Sequence, residues 1–467
     1  MDKKELTKKI WAYALKNAIE HNGNAIPGKV LNSLFHEGLD KSKSKETMPL
    51  INEITEKVNK LSIEEKTAKF SELEQEVGKR PEREGMPELE STEDIATRFS
   101  PSPSGPMHIG HAATGMPSSL YAKKYNGKFY LRIEDTNPAN IEPAAYKMIP
   151  EEADWLFGNV AESYAQSDRM LKYYDFAEQL ITKNAAYICD CDPEEFKKLI
   201  EQQKPCPCRF LDSTEHLKRW KRMLDKKGYE EGKAVLRFKS DLDDPNPALR
   251  DFPLARIVTE KHPKQKNKYR VWPLMNLCVT LDDMEFNITH IIRGKEHQDN
   301  AKRQAMMFKV FNKPIPHTYF LGRYKFTDLE ISCSKTKELI NKGKFSGWED
   351  IRLPFIAPLK KRGYQAEAFR QLAVQRGLSD VDKVITKEDY FQLLNNLNRE
   401  IIKNRAIQAE IRKKSKTTKE FTLRTPDNKT KKVHLDISAK VKDGDIVHLK
   451  DLGYCKLNGN EFWFAHD

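Results

Sequence analysis

His108 and His111 stand three residues apart, with Gly110 between them, in Met107-His-Ile-Gly-His111. Imidazoles can donate to phosphate oxygens, and a glycine removes the side chain that would keep a flat ring off the backbone. Glu134-Asp135 closes the run Lys128-Phe-Tyr-Leu-Arg-Ile133, so carboxylates fall where a ligand's ammonium could be neutralised. Arg293 closes Ile288-Thr-His-Ile-Ile292 in the same way. A guanidinium there can grip a carboxylate through two parallel hydrogen bonds, which a lysine cannot do. Cys189-Asp-Cys191 and Cys206-Pro-Cys208 form two tight pairs, a donor set suited to tetrahedral zinc in a chain that would not use them as disulfides.

The elements that must position these groups can be read nearby. Ile95 to Phe99 alternates apolar and polar side chains as a short strand does. Pro101, Pro103, Gly105 and Pro106 forbid regular structure after it, and a helix is expected to start between His108 and Gly110. A strand, a rigid loop and a helix N-terminus make an anion-facing site, because unpaired N–H groups and the helix dipole both favour negative charge. Phe129–Ile133 and Ile288–Ile292 read as further strands whose C-terminal ends, as in open α/β sheets, would face the ligand. Residues 144–185 read as helical, with Trp155, Leu156, Tyr164, Leu171, Tyr174 and Leu180 available for core faces. Strands are expected at Ala234–Phe238 and Leu254–Val258, and a helix over Leu393–Arg405. Short alternating runs at 421–424, 433–435, 446–449 and 454–457, with Asp443-Gly and Asn458-Gly turns, predict hairpins in a small basic β-barrel.

The 467 residues leave room for about three domains and an ample core. The net charge of +12 suits a polyanionic partner, and half of that excess lies in residues 399–467. The seven cysteines are not spread as a secreted disulfide framework would be. No apolar run is long enough to span a membrane, and Met1-Asp-Lys-Lys-Glu-Leu6 lacks a signal peptide's apolar core. A soluble, cytoplasmic protein is expected.

Arg98-Phe-Ser-Pro-Ser-Pro-Ser-Gly105 ahead of His-Ile-Gly-His111 resembles the first ATP-binding motif of class I aminoacyl-tRNA synthetases, in the form carried by the glutamyl and glutaminyl enzymes. Ser332-Cys-Ser-Lys-Thr336 looks like their second motif, Lys-Met-Ser-Lys-Ser, with Ser332 and Cys333 replacing its first two residues. Arg132-Ile-Glu-Asp-Thr136 matches the family's amino-acid motif, and the whole pattern is similar to archaeal-type glutamyl-tRNA synthetases. The resemblance implies an ATP site at Pro103, Gly105, His108, Ile109, Gly110, His111, Ser334 and Lys335, with His108, His111 and Lys335 catalytic. It implies an amino-acid site at Arg98, Ser100, Glu134 and Arg293, where Glu134 holds the α-ammonium and Arg293 the γ-carboxylate. Glutaminyl relatives carry a cysteine at the latter place. Many relatives have a tyrosine where this chain has Met275, so no role is carried over to Met275. Some glutamyl enzymes have a zinc module in the corresponding insertion, which would put structural Zn2+ on Cys189, Cys191, Cys206 and Cys208.

The fold so implied is α/β, a Rossmann-type parallel-sheet catalytic domain split by an insertion. Its parts are an N-terminal helical extension over 1–90, the first catalytic half over 91–185 and an acceptor-binding insertion over 186–285. The second half over 286–337, a helical stem-contact region over 338–384 and an anticodon-binding β-barrel over 385–467 complete it. Pro81 and the acidic stretch Glu82–Glu93 would end the extension as a linker. The activity implied is attachment of L-glutamate to the 3′ end of tRNA(Glu), using ATP with Mg2+ and passing through glutamyl-adenylate, by a monomer. Three alternatives stay open at this point: a form also charging tRNA(Gln) with glutamate, a glutaminyl-tRNA synthetase, and an inactive tRNA-binding relative. Residues 385–467 speak against a tRNA-modifying paralogue, which usually lacks the anticodon-binding part.

Overall fold

Short parallel strands carry the catalytic part of the chain. β1 (Ala96–Phe99) pairs with β2 (Lys128–Ile133), and β2 with β3 (Glu162–Ala165), all in parallel register. The chain then leaves for an antiparallel sheet of β4 (Ala186–Cys189), β5 (Val235–Phe238), β6 (Pro253–Ile257) and β7 (Val271–Pro273). It returns through the helix Met275–Glu285 to a second parallel pair, β8 (His290–Gly294) and β9 (His317–Leu321). Thr289 joins the two halves: its N–H donates to the Ala96 carbonyl at 2.9 Å, and its hydroxyl accepts from the Ala96 N–H at 2.9 Å. The resulting order β9-β8-β1-β2-β3 reverses between β1 and β8, the place where open α/β sheets bind ligands beyond their carboxyl ends. This is the expected Rossmann-type sheet, interrupted by the expected insertion.

In β2, Phe129–Ile133 are all buried, so the strand reads as an unbroken apolar run apart from Arg132. The helix Ile109–Lys124 packs along β1, β8 and β2. A turn at Asn126 (φ +52°) and Gly127 leads from it into β2, and Lys128 N–H donates to the Ile95 carbonyl at 2.8 Å.

Residues 144–185 are not one helical stretch. The helix Ala145–Phe157 ends at Gly158 (φ +71°), β3 follows, and a helix resumes only at Met170–Thr182. β3 escapes sequence reading because it is an edge strand: Glu162 and Ser163 face solvent, so no apolar alternation marks it. Leu171, expected in the core, is 63% exposed. β8 also runs through Arg293 and Gly294 instead of ending before them, since both residues pair with Phe320 and Leu321.

The structure describes residues 3–20, 23–40, 43–78 and 86–467. It falls into two compact units, Met1–Arg83 and Glu84–Asp467. The first is helical: Lys3–Glu20, Pro27–His36, Ser44–Asn59 and Ile63–Leu73 bury Ile10, Leu15, Leu34, Ile51 and Val58. A capping box starts the last of these helices, with the Ser62 and Glu65 side chains answering each other's backbone N–H groups. Pro81 and the first part of the expected linker lie outside the described residues. Met86 and Leu89, expected to belong with the helical extension, pack instead with Ile95, Tyr121, Ile292 and Leu321 in the second unit.

β10 (Tyr324–Phe326) and β11 (Lys383–Ile385) pair in parallel around the helices Ile356–Arg362 and Ala366–Arg376, and the helix Lys387–Ile402 follows. The remainder is β12 (Ile407–Ala409), β13 (Ile411–Arg412), β14 (Thr418–Arg424), β15 (Thr430–Asp436), β16 (Ile446–Leu449), β17 (Gly453–Asn458) and β18 (Glu461–His466). Their hydrogen-bonded order is β12-β16-β17-β18-β14-β15-β13. The expected barrel is thus a rolled sheet whose end strands do not pair with each other. They are successive pieces of one extended stretch, 407–412, which binds β16 through one half and β15 through the other. Arg362 ties this sheet to the preceding helices by donating to the Phe464 and Ala465 carbonyls at 3.0 and 2.6 Å.

A Cβ at Gly127 would be driven into the Ile95 carbonyl that fixes the start of β2. Gly127→Ala should therefore destabilise the second unit by about 1–3 kcal/mol, the usual cost of overpacking against a fixed backbone, as read from denaturant unfolding.

Candidate active site

The loop after β1 leads into a helix capped by its own histidines. His108 is the N-cap of Ile109–Lys124, and its Nδ1 accepts from the N–H groups of Gly110 at 3.1 Å and His111 at 3.4 Å. The His111 Nδ1 answers by accepting from the His108 N–H at 3.3 Å, and the rings stack with centroids 3.8 Å apart. A Cβ at Gly110 would stand 2.9 Å from the His108 ring, so glycine is what lets the ring fold back. Because each Nδ1 accepts, each neutral ring carries its proton on Nε2. Burial holds both rings below the usual imidazole range, His111 at about 4, so they act as neutral donors. This corrects one expectation. The first-turn N–H groups are not left open to an anion, since His108 takes two of them and the Pro354 carbonyl takes that of Ile109 at 3.1 Å. Ring N–H edges, not bare amides, are the donors this helix end can offer.

The second motif packs directly against the first. A Cβ on buried Gly105 would come within 3.0 Å of Cys333 and Trp348, and the Cys333 thiol donates to the Pro106 carbonyl at 3.7 Å. Ile331 lies against Gly110. Ser332 caps the helix Cys333–Asn341, its hydroxyl accepting from the Lys335 N–H at 3.4 Å. Lys335 and Ser334 are exposed; the Lys335 ammonium is held by Glu330 at 2.7 Å and makes no contact with the histidines. Pro103 is buried in the loop, and its carbonyl accepts from the Glu142 N–H at 2.8 Å.

The ends of β1, β2 and β8 hold a buried charge cluster. Arg98 donates side-on to Asp283 through Nε and Nη2, both at 3.3 Å, and Arg132 Nη1 reaches the same carboxylate at 2.7 Å. Glu134 lies 3.5 Å from Arg132 Nε. Arg293 is buried; its Nη1 donates to Gln304 Oε1 at 3.0 Å, and its Nε has no partner. The Ser100 hydroxyl, in the loop beyond Arg98, is likewise buried without a partner. Burial pushes the Glu134 carboxyl up, although Arg132, Arg98 and Arg293 all pull it down. Burial, with Arg98 beside it, penalises the charge on Arg293 and lowers it to about 9. Burial also works against the Asp283 carboxylate, but Arg98 and Arg132 outweigh it and hold its pKa below the usual range. Three guanidinium groups, those of Arg98, Arg132 and Arg293, act on the carboxylates of Glu134 and Asp283, and Arg132 Nη1 also lies 3.9 Å from Asp282 Oδ2. Asp135 is not part of the free set, because Ser167 and Tyr146 saturate its carboxylate at 2.6–2.7 Å.

The cysteines form a separate centre. Cys189 ends β4, Cys191 follows in the turn, and Cys206 and Cys208 flank Pro207 after the helix Pro193–Glu201. Their sulfurs lie within 4.8 Å of one another, with Cys189–Cys206 at 3.9 Å and Cys191–Cys208 at 3.6 Å. A tetrahedron with zinc–sulfur bonds of about 2.3 Å has edges of roughly 3.8 Å, so the donor set fits that metal.

Sequence reading missed Arg132, Asp283, Gln304 and Glu152. Arg132 is a charge inside an apolar strand, a pattern that signals a buried ion pair. The other three carry no local signal, because Asp283 and Glu152 meet partners far along the chain and Gln304 meets Arg293 only once the helix Gln298–Val310 folds back on β8. Glu152, on the helix Ala145–Phe157, accepts from the Met107 N–H at 2.6 Å, immediately before the His108 cap.

Residues 94–398 match the family described as "tRNA synthetases class I (E and Q), catalytic domain". The chain is 37% identical over 464 residues to the glutamate–tRNA ligase of Methanosphaera stadtmanae, covering 96% of this chain and 82% of that protein. It is 40% identical over 409 residues to the glutamate–tRNA ligase of Thermococcus kodakarensis, covering 85% of this chain and 70% of that one. It is similar to the crystal structure of a glutamate tRNA ligase from Elizabethkingia meningosepticum at 19% identity and a TM-score of 0.48, covering 67% of this chain and 70% of that one. The chain belongs to the class I synthetases of the E and Q group.

Burial lifts the Glu152 carboxyl to about 8. The native chain therefore keeps a proton that the unfolded chain sheds in the ordinary carboxylate range. Stability from this group is full below that range and is lost as pH rises through about 8. Glu152→Gln keeps an acceptor for Met107 and removes the ionisation. The melting temperature of the wild type should therefore fall relative to E152Q as pH rises from about 4.5 to about 8, and parallel curves would show that this carboxyl does not titrate with folding.

Proposed function

We propose that this chain attaches L-glutamate to the 3′ end of tRNA(Glu) at the expense of ATP. The observation that carries the reading is Arg293, a buried guanidinium with an unpaired Nε at the end of β8, in the same pocket as Glu134 and Arg98. Glutamate brings two carboxylates and one ammonium, which the donors of Arg293 and the carboxylate of Glu134 can meet. The names of the relatives agree with glutamate as the amino acid.

In this reading Glu134 receives the α-ammonium, Arg293 grips the γ-carboxylate, and Arg98 and Ser100 line the approach. The α-carboxylate attacks the α-phosphorus of ATP; a carboxylate–phosphorus bond forms and pyrophosphate leaves. His108 and His111 donate through Nε2–H to the nucleotide, while Pro103, Gly105, Ile109 and Gly110 shape its seat. Lys335 leaves Glu330 for the β- and γ-phosphates, with Ser334 beside it. Mg2+, when bound with ATP, would neutralise part of the phosphate charge. The terminal ribose hydroxyl of the tRNA then attacks the glutamyl carbonyl, giving its proton up as AMP departs and the ester forms. The protein supplies no nucleophile; positioning and charge stabilisation do the work.

The regions follow the same reading. The insertion over 186–285 serves the acceptor end, residues 338–384 the stem and the basic sheet over 385–467 the anticodon side. The enzyme works as a cytoplasmic monomer, and structural zinc on Cys189, Cys191, Cys206 and Cys208 braces the insertion. A glutamine substrate is disfavoured because the free edge of Arg293 offers donors only, which an amide NH2 cannot meet. No specific observation favours charging of tRNA(Gln).

Charging assays with glutamate and glutamine on tRNA(Glu) and tRNA(Gln) test the reading directly. Arg293→Ala should cost about 3 kcal/mol or more, roughly a hundredfold in kcat/KM for glutamate. It should remove glutamate-dependent ATP–pyrophosphate exchange measured with tRNA present, whereas unchanged exchange would refute the assignment. The purified wild type should carry about one zinc per chain by elemental analysis, and Cys206→Ser should lose it together with thermal stability.

A further inference from the structure

Two buried amides, Gln304 and Asn276, stand behind Arg293. Gln304, on the helix Gln298–Val310, is 3% exposed, and its Oε1 accepts from Arg293 Nη1 at 3.0 Å. Its Nε2 donates to Asn276 Oδ1 at 3.3 Å, and Asn276 Nδ2 donates in turn to Asn300 Oδ1 at 3.2 Å. Arg303 Nη1 donates to that same Asn300 oxygen at 3.1 Å. Every link in this chain has one sense. Asn300 Oδ1, already bound to Arg303, can only accept; Asn276 must then present its oxygen to Gln304, and Gln304 its oxygen to Arg293. A flipped Gln304 would set its NH2 against the guanidinium, donor to donor.

We propose that Gln304 is a positioning residue that determines specificity for the ligand's side-chain carboxylate. It occupies Nη1 of Arg293 with a neutral acceptor, and so turns the Nε and Nη2 edge toward the pocket as a two-donor face. The inference rests on the glutamate reading above and deepens it. Nη2 donates to the Met275 sulfur at 4.0 Å, a weak acceptor that a carboxylate easily displaces, and Nε is unpaired. A neutral partner on the third nitrogen matters as much as its geometry, since a carboxylate at position 304 would neutralise Arg293 before any ligand arrived. A face with two donors and no acceptor accepts a carboxylate and rejects an amide, so the direction of the amide chain becomes the direction of the discrimination.

The test compares wild type, Gln304→Met and Gln304→Glu in ATP–pyrophosphate exchange with tRNA present, varying glutamate and ATP separately, with glutamine as competitor. Methionine keeps the volume without the acceptor, and melting curves check that both variants fold. The expected result is a KM for glutamate raised about tenfold or more in both variants. The KM for ATP should stay within about twofold, and the preference for glutamate over glutamine should narrow in Q304M. An unchanged KM for glutamate in Q304M, with an active wild type, overturns the proposal and leaves the glutamate reading standing. Equal rises in both KM values, or a melting temperature that falls with no selective change, mark Gln304 as a packing residue and also overturn it. A wild type that shows no exchange with glutamate removes the reading and the proposal together.

Discussion

Asp283 is the carboxylate on which the two halves of the catalytic sheet agree. Arg98 reaches it from β1 and Arg132 from β2, while Asp283 itself rides on the helix that brings the chain back from the insertion. Removing one partner from such a buried group leaves an unpaired charge, which typically costs about 3–5 kcal/mol. The insertion can therefore vary in its outer parts, but its return must deliver this residue to the rim. Arg98 gives both nitrogens of one edge to Asp283 and Arg132 gives it Nη1, while Nε and Nη2 of Arg132 and Nε of Arg293 stay without a hydrogen-bond partner.

The loop between β1 and its helix is held from behind with comparable care. Met107 lies between the Glu152 carboxyl, which accepts from its N–H, and Ile356, whose N–H donates to its carbonyl at 2.9 Å. Gly105 brings the loop against Cys333, so the degenerate second motif keeps its packing surface although it has lost a lysine. The loop, the helix Cys333–Asn341 and the start of the helix Ile356–Arg362 form one contiguous body. A displacement at Pro354–Ile356 is passed to the histidine cap through backbone hydrogen bonds alone.

The legible parts were those governed by local chemistry. A strand, a Pro-rich loop and a glycine beside two histidines announce the ring-capped helix, because the steric need at Gly110 is satisfied within three residues. The cysteine pairs announce their cluster for a similar reason, since each pair spans a single turn. Most of what stayed hidden depends on partners that only the folded chain brings together. Asp283 looks like any acid on a helix until Arg98 and Arg132 are brought to it, and Gln304 has no meaning before Arg293 folds against it. β3 was invisible because an edge strand with exposed Glu162 and Ser163 carries no periodic apolar signal. The helix end was read as a bare amide cradle because composition cannot reveal that His108 would use its own ring to close it.

The stretch 407–412 belongs to both rims of the C-terminal sheet at once. A sheet closed in this way has no terminal strand that can peel away alone: loosening that hinge-like ribbon unpairs β16 and β15 together. The basic face carried by Lys413, Lys414, Lys416 and Lys419 follows directly on that ribbon. The lysines and the seam thus occupy neighbouring residues of one short stretch.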